Sequence, residues 1–209
     1  MKILLVDDHA IVRQSLAYII SQHFPEASCE ECADGQSCIE QVKKQEYDLI
    51  ILDMNLPDMD GISITEWVLN KRPGQMIVFF STSSTEAYAK KLYQMGIMGY
   101  INKQTNLSEV AVALRQVLYE KKQYLDEEFK AILANDFLNK KDDNPIARFS
   151  TRELSVAQLM ANGKTFEEIS AQLNIETSTI RTYKTRIFQK LGAVTLHDFL
   201  SKAKQYKLI

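Results

Sequence analysis

The sequence predicts an α/β doubly wound parallel sheet followed by a small all-α domain. Three observations carry that prediction. Over the first 120 residues, short apolar runs alternate with stripes of helical period. Residues 139–145, Asn-Lys-Lys-Asp-Asp-Asn-Pro, hold no apolar side chain and end in proline. Beyond them every segment has helical spacing, with repeated start signals.

The first strand is Ile3–Val6, followed by a helix marked by Ile11, Val12, Leu16, Ile19 and Ile20. Further apolar runs lie at Leu49–Leu52 and Met76–Phe80, with weaker ones near Ala27–Ala33 and Gly99–Ile101. After the last comes the stripe Leu107, Val110, Ala111, Leu114, Val117 and Leu118. Five apolar strands alternating with helices read as a parallel sheet covered on both faces. In such sheets functional groups gather at the carboxyl ends of the strands. Asp126–Leu138 is expected as a short helix with Phe129, Ile132, Leu133 and Phe137 on one side. It falls in a partly helical linker, residues 123–146, between domains at 1–122 and 147–209. In the tail, Ser150-x-x-Glu153 reads as a capping box, with Phe149 and Leu154 as its staple. Thr165-x-x-Glu168 is a second box, Thr177 or Ser178 is placed to cap a third helix, and Thr195-x-x-Asp198 opens a fourth. Gly163 and Gly192 stand where helix ends want a left-handed residue. The short link Asn174-Ile-Glu176 gives the spacing of a helix-turn-helix.

Composition narrows the function classes. The chain has 209 residues, 45% hydrophobic and 25% charged, with three Cys and a net charge of −2. No apolar run approaches the ~18 residues of a membrane span. The N-terminus meets Asp7 and Asp8 after a few apolar residues, unlike a signal peptide. A cytoplasmic, disulfide-free protein with no membrane partner is expected. The charge is uneven. Residues 1–122 carry 12 basic and 16 acidic side chains, 123–146 carry 3 and 6, and 147–209 carry 10 and 5. An acidic front and a basic tail point to different partners, the tail's being a polyanion.

Asp7 and Asp8 follow the first strand directly, and Asp53 follows the third. If those strands are neighbours, three carboxylates converge at one edge and repel. A hard divalent cation, Mg²⁺, removes the conflict and keeps open positions for phosphate oxygens. Ser81 ends the fourth strand and Lys103 follows the fifth. Each acid alone is readily a helix cap, and a lone Ser or Lys is ordinary surface. Together they supply what phosphoryl transfer needs, which is positioning and charge neutralisation. Asp53 is the candidate nucleophile. Asp7 and Asp8 hold the metal with the backbone carbonyl of Asn55 as a further ligand, and Ser81 and Lys103 grip the phosphoryl oxygens. His9 sits at the rim.

Residues 1–122 resemble the receiver domain of two-component response regulators. The matching features are Leu5-Val-Asp-Asp-His9, Leu49-Ile-Ile-Leu-Asp53-Met-Asn-Leu-Pro57, Asp60-Gly61, Ser81 and Gly99-Tyr-Ile-Asn-Lys103. The resemblance implies a flavodoxin-like fold in which Asp53 accepts phosphate from the phosphohistidine of a sensor histidine kinase. It implies Mg²⁺ at Asp7, Asp8 and Asp53, a switch pair in Ser81 and Lys103, and a rotating aromatic in Tyr100. The expected response has Ser81 drawn inward and Tyr100 turning from solvent into the domain, altering the surface of residues 85–95 and 107–119. One departure is Gln104, where many receivers have proline.

The third helix of the tail, Thr177–Leu191, has four basic residues and no acid. At 100° per residue, Ile180, Tyr183, Ile187 and Leu191 fall on one side, and Arg181, Thr182, Thr185, Arg186 and Gln189 on the other. An apolar back and an acid-free polar front suit the major groove. Arg181, Thr182 and Thr185 are placed for base edges, and Lys184, Arg186 and Lys190 for phosphates. Residues 147–209 also resemble the LuxR-type helix-turn-helix of the NarL/FixJ class. The features are Phe149-Ser-Thr-Arg-Glu-Leu154, Asn162-Gly163-Lys-Thr-Phe-Glu-Glu-Ile-Ser170, Leu173-Asn-Ile175, Thr179–Ile187 and Lys190-Leu191. That resemblance implies homodimers on paired sites of double-stranded DNA, formed on phosphorylation, with Thr195–Tyr206 as the dimer contact and RNA polymerase as a further candidate partner. Tyr183 stands where a His is common, so site preference does not carry over. Catalysis is expected only on the chain itself, at Asp53.

Cys29-Glu-Glu-Cys32 has the spacing of a redox or zinc pair, but it lies on an expected strand and reads as structural. A phosphatase of the haloacid dehalogenase kind would want Asp-x-Asp, and here the run is Asp53-Met-Asn55. A DNA binder indifferent to phosphate is the other alternative; equal DNA affinity of the wild type and Asp53→Asn would mark it.

Overall fold

The structure, a computed structural model, describes all residues except 83–87, 139–144, 174, 207 and 209. Two compact units divide the chain, Met1–Asn139 and Lys140–Ile209. Among the described residues no helix is long and apolar enough to cross a membrane.

The first unit contains β1 (Lys2–Val6), α1 (Ala10–His23), β2 (Ser28–Cys32), α2 (Gly35–Lys44), β3 (Leu49–Leu52), α3 (Gly61–Lys71), β4 (Ile77–Ser81), α4 (Ala89–Gln94), β5 (Gly99–Asn102), α5 (Leu107–Leu118), β6 (Tyr124–Leu125) and α6 (Glu127–Leu138). All strands pair in parallel, in the order β2-β1-β3-β4-β5-β6. Because strand residues alternate between faces, Ile3, Leu5, Ile51, Val78, Phe80 and Ile101 meet Leu16, Ile20, Val110, Leu114 and Val117 of α1 and α5 in one core. Leu4, Val6, Ile50, Leu52 and Phe79 are buried on the other face, where α2 and α3 pack together. Several helix starts in this unit are fixed by caps. Asp34 accepts from the Ser37 N–H and Asp60 from the Ser63 N–H, opening α2 and α3, and Asn106 opens α5.

The sixth strand departs from the five expected. It is two residues long, too short for a period to register in the sequence. The Tyr124 N–H donates to the Met98 carbonyl at 2.9 Å, and a Cβ on Gly99 would lie only 3.0 Å from the Tyr124 carbonyl oxygen. A residue without a side chain thus lets β6 approach. The segment expected as a linker therefore contributes β6 and α6 to the first unit.

The second unit opens with a 3-10 turn at Pro145–Arg148, followed by α7 (Thr151–Ala161), α8 (Phe166–Leu173), α9 (Thr177–Leu191) and α10 (Leu196–Gln205). Its core is Phe149, Leu154, Val156, Ala157, Met160, Ile169, Ile180, Ile187, Leu191, Phe199 and Ala203. The Ser150–Glu153 capping box is complete. Thr165 and Glu168 exchange the same two bonds, at 2.8 and 3.2 Å. Thr195 caps α10. The third helix differs: its N-cap is Glu176, which makes no side-chain cap, while Thr177 is already helical and the Ser178 hydroxyl donates to the Glu176 carboxylate at 3.2 Å. Gly163 and Gly192 have φ of 77° and 62°, the left-handed geometry that ends α7 and α9.

Candidate functional site

Adjacency of β1 and β3 brings Asp7, Asp8 and Asp53 to one edge of the sheet. Ligand atoms of Asp7, Asp8, His9 and Asp53 all lie within 4.8 Å of one another. Asp7 and Asp53 are almost fully buried, at 2% and 5% exposure. Lys103 Nζ bridges them, 2.7 Å from Asp7 Oδ2 and 2.9 Å from Asp53 Oδ2. The second Asp53 oxygen accepts from the Met54 N–H at 2.7 Å, and Ser81 also hydrogen-bonds this carboxylate. Gly61 is required beside it, since a Cβ there would lie 2.7 Å from the Asp53 carbonyl oxygen and from the Phe79 ring. Burial, helped by the Asp7 charge, pushes the Asp53 carboxyl above its ordinary value against the pull of Lys103. Burial also opposes the charge on Lys103, but Asp53 and Asp7 outweigh it and the ammonium is held more firmly than usual.

Two members of this site lie outside the set read from the sequence. His9, expected at the rim, places Nδ1 at 2.6 Å from Asp8 Oδ1 and joins the acid cluster. Arg13, one turn into α1, donates through Nη1 to the Asp7 carbonyl at 2.6 Å and through Nε to Glu31 at 2.8 Å. Its partner at the site is a backbone carbonyl, so no residue type in the sequence marks the contact. Tyr100, expected to turn in from solvent, is buried and in hydrogen-bond contact with Ser81. Of the surface expected to respond, 85–87 lie outside the described residues, and α4 and α5 supply most of the remainder.

Cys29 and Cys32 sit three residues apart on β2, so they point to opposite faces of the sheet and share no ligand. Burial pushes the Cys29 thiol up to about 11 and the Cys38 thiol up to about 12.

On α9, Ile180, Ile187 and Leu191 are buried, Tyr183 is half-buried, and Arg181, Thr182, Thr185, Arg186 and Gln189 are exposed. Thr182 and Thr185 donate to the carbonyls of Ser178 and Arg181. Lys184 Nζ lies over two rings, 5.7 Å from Phe166 and 5.3 Å from Phe188. Lys190 Nζ is 2.5 Å from Oε2 of Glu153, a carboxylate that is 2% exposed and already serves the capping box.

A family profile described as "Response regulator receiver domain" matches residues 3–115, and one described as "Bacterial regulatory proteins, luxR family" matches residues 147–203. The chain belongs to the response regulators. More fully, it is a two-component response regulator with a LuxR-type domain, a DNA-binding transcriptional regulator rather than a classical enzyme. Among its curated relatives, response regulator GacA of Pseudomonas aeruginosa is 28% identical over 198 residues, covering 92% of this chain and 90% of GacA. Oxygen regulatory protein NreC of Staphylococcus carnosus is 28% identical over 216 residues, covering 100% and 99%. Solved structures show the same fold. RcsB in a complex with DNA has a TM-score of 0.60 at 23% identity over 98% of each chain. RcsB of Salmonella enterica serovar Typhimurium, bound to promoter rprA with phosphomimetic BeF3⁻, has 0.62 at 24% over 98% of each. Receiver domains as a group bind Mg²⁺ at an acidic pocket, and the buried donor set of this response regulator, three carboxylates with an open rim at Asp8, has the chemistry for one.

Proposed function

We propose that this response regulator is switched by Mg²⁺-dependent transfer of a phosphoryl group from a sensor histidine kinase to Asp53, and that the modified chain pairs on two DNA half-sites. The observation that carries the reading is the Lys103 ammonium held between Asp7 and Asp53 beside Asp8. A fixed cation, a nucleophile and a metal-ready acid pair then stand within reach of one phosphoryl group.

Asp7, Asp8, Asp53 and the Asn55 carbonyl would hold the ion, whose part is to neutralise charge on the phosphoryl oxygens. The Met54 N–H holds one Asp53 oxygen in place, and the other, freed from Lys103, attacks phosphorus. The P–N bond of the donor phosphohistidine breaks and its electron pair returns to the imidazole. Lys103 and Ser81 follow the charge onto the phosphoryl oxygens. Arg13 keeps the Asp7 backbone in register. Hydrolysis of the aspartyl phosphate resets the chain, so the only catalysis is on itself. The units take the roles of a receiver at 1–122, to which β6 and α6 of 123–146 add, and a DNA-binding domain at 147–209, working in the cytoplasm.

On the DNA side, Arg181, Thr182 and Thr185 read base edges, and Arg186, Gln189 and Lys184 contact the backbone. Lys190 is engaged by Glu153 and supports α9 against α7. RcsB is bound to DNA in the structures this chain resembles, which supports that use of the unit. RNA polymerase is a natural further partner of a promoter-bound regulator.

The test is DNA affinity and oligomeric mass with and without acetyl phosphate plus Mg²⁺. Expected are an adduct at Asp53, a dimer, and DNA binding tightened about tenfold or more. No adduct, or equal DNA affinity of the wild type and Asp53→Asn under donor-rich conditions, overturns it.

A further inference from the structure

An unbroken line of side chains runs from the acid pocket to the last helix of the first unit. Asp53 hydrogen-bonds Ser81. Ser81 hydrogen-bonds Tyr100. The Tyr100 ring packs on Phe129 of α6, with centroids 5.1 Å apart and planes inclined by 30°. Ser81, Tyr100 and Phe129 are all buried. The backbone repeats the connection, since the Phe129 N–H donates to Asp126 Oδ1 at 2.8 Å and the Asp126 N–H donates to the Tyr100 carbonyl at 3.3 Å. One residue of β5 therefore fastens the start of α6 twice, by its ring and by its carbonyl. Leu133, one turn further, is buried as well, and α6 lies against α4.

We infer that α6 is the element through which the first unit reads its own phosphorylation, and that Phe129 is the residue that senses Tyr100. The inference rests on the assignment of Asp53 as phosphoacceptor and extends it. A phosphoryl group on Asp53 brings roughly −1.5 to −2 charge and new acceptor oxygens. Ser81 then donates to a phosphoryl oxygen in a group that carries more charge than the carboxylate it leaves, a stronger charge-assisted bond, and its oxygen remains to accept from the Tyr100 hydroxyl. Tyr100 is held more firmly in its buried position, and the platform under Phe129 becomes permanent. Phosphorylation tightens the seat of α6. Among the described residues α6 is the last element of the first unit. Linkage makes the coupling reciprocal, so loosening Phe129 weakens binding of a phosphoryl mimic by the same factor.

Hydrogen exchange of the full chain tests this, with beryllofluoride plus Mg²⁺ as the probe and bound fluoride followed by ¹⁹F NMR. Amide exchange across residues 127–138 is expected to slow about fivefold at full occupancy. Phe129→Leu keeps apolar bulk but loses the ring, and Tyr100→Phe keeps the ring but loses the hydroxyl. Each is expected to cut the slowing to less than about twofold at matched occupancy, and Phe129→Leu to weaken beryllofluoride binding about fivefold. Unchanged or faster exchange in α6 with the bound fluoride signal present overturns the inference and leaves the Asp53 assignment standing. Absence of the bound signal overturns that assignment and the inference with it.

Discussion

Asp53 carries its charge in a place that resists it. Its carboxyl sits above the ordinary value because it is buried beside Asp7, and Lys103 only partly compensates. A carboxylate raised in the folded state makes folding less favourable as pH climbs above the unfolded value near 3.8, because the unfolded chain ionises more readily. Asp53→Asn is therefore expected to stabilise metal-free protein at pH 7 by about 1 kcal/mol, with the difference vanishing toward pH 3, as urea titrations across pH would show. A variant less stable at neutral pH would mean that Lys103 outweighs burial. The cysteines give a second residue-scale prediction. With the Cys38 thiol near 12, about one molecule in ten thousand is thiolate there at pH 8. Iodoacetamide should leave Cys32 and Cys38 of the native chain unlabelled over hours and modify all three thiols in urea; rapid native labelling would contradict the burial described. The pocket acids, Ser81 and Lys103 were legible because strand ends in a parallel sheet share one edge. Arg13 was not, since its role depends on where α1 lies against the Asp7 carbonyl.

At the scale of elements, the capping boxes of α7 and α8 were legible because their bonds join residues three apart. Lys190 shows the limit of local reading. From the sequence it reads, with Lys184 and Arg186, as a cation placed for phosphates, yet Glu153 of α7, 37 positions away, takes its ammonium. Glu153 is nearly fully buried and, among the described residues, keeps only the Ser150 N–H when Lys190 is removed, so Lys190→Met is expected to lower stability by about 1–2 kcal/mol, read as a shift in the urea midpoint of the second unit's transition. A change below ~0.5 kcal/mol would return Lys190 to the ordinary exposed cations. β6 escaped notice for a different reason: two residues make no period, and its pairing depends on bare Gly99 in the neighbouring strand. Phe129 and Leu133 were visible as one face of a helix, but a helix face does not name what it covers.

For the whole molecule, the division into an acidic front and a basic tail leads to a prediction about salt. Each phosphate contact contributes about −0.9 to the slope of log affinity against log salt. Arg186→Ala should flatten that slope by about one contact with little change in preference among DNA sequences. Arg181→Ala should cost about 1–3 kcal/mol and relax preference at one base position. Fluorescence anisotropy at several salt concentrations checks both, and an unaltered slope for Arg186→Ala would remove it from the backbone contacts. The alternation of strand and helix periods, the polar break and the start signals determined the two-part fold and the edge where chemistry gathers, because those features depend only on spacing along the chain. Tertiary structure decided the rest: the sixth strand, the Lys103 bridge between Asp7 and Asp53, the diversion of Lys190 to Glu153, and the ring of Phe129 on Tyr100. Each of these joins residues far apart in the chain, and only packing, by removing water from between them, makes one partner preferable to solvent.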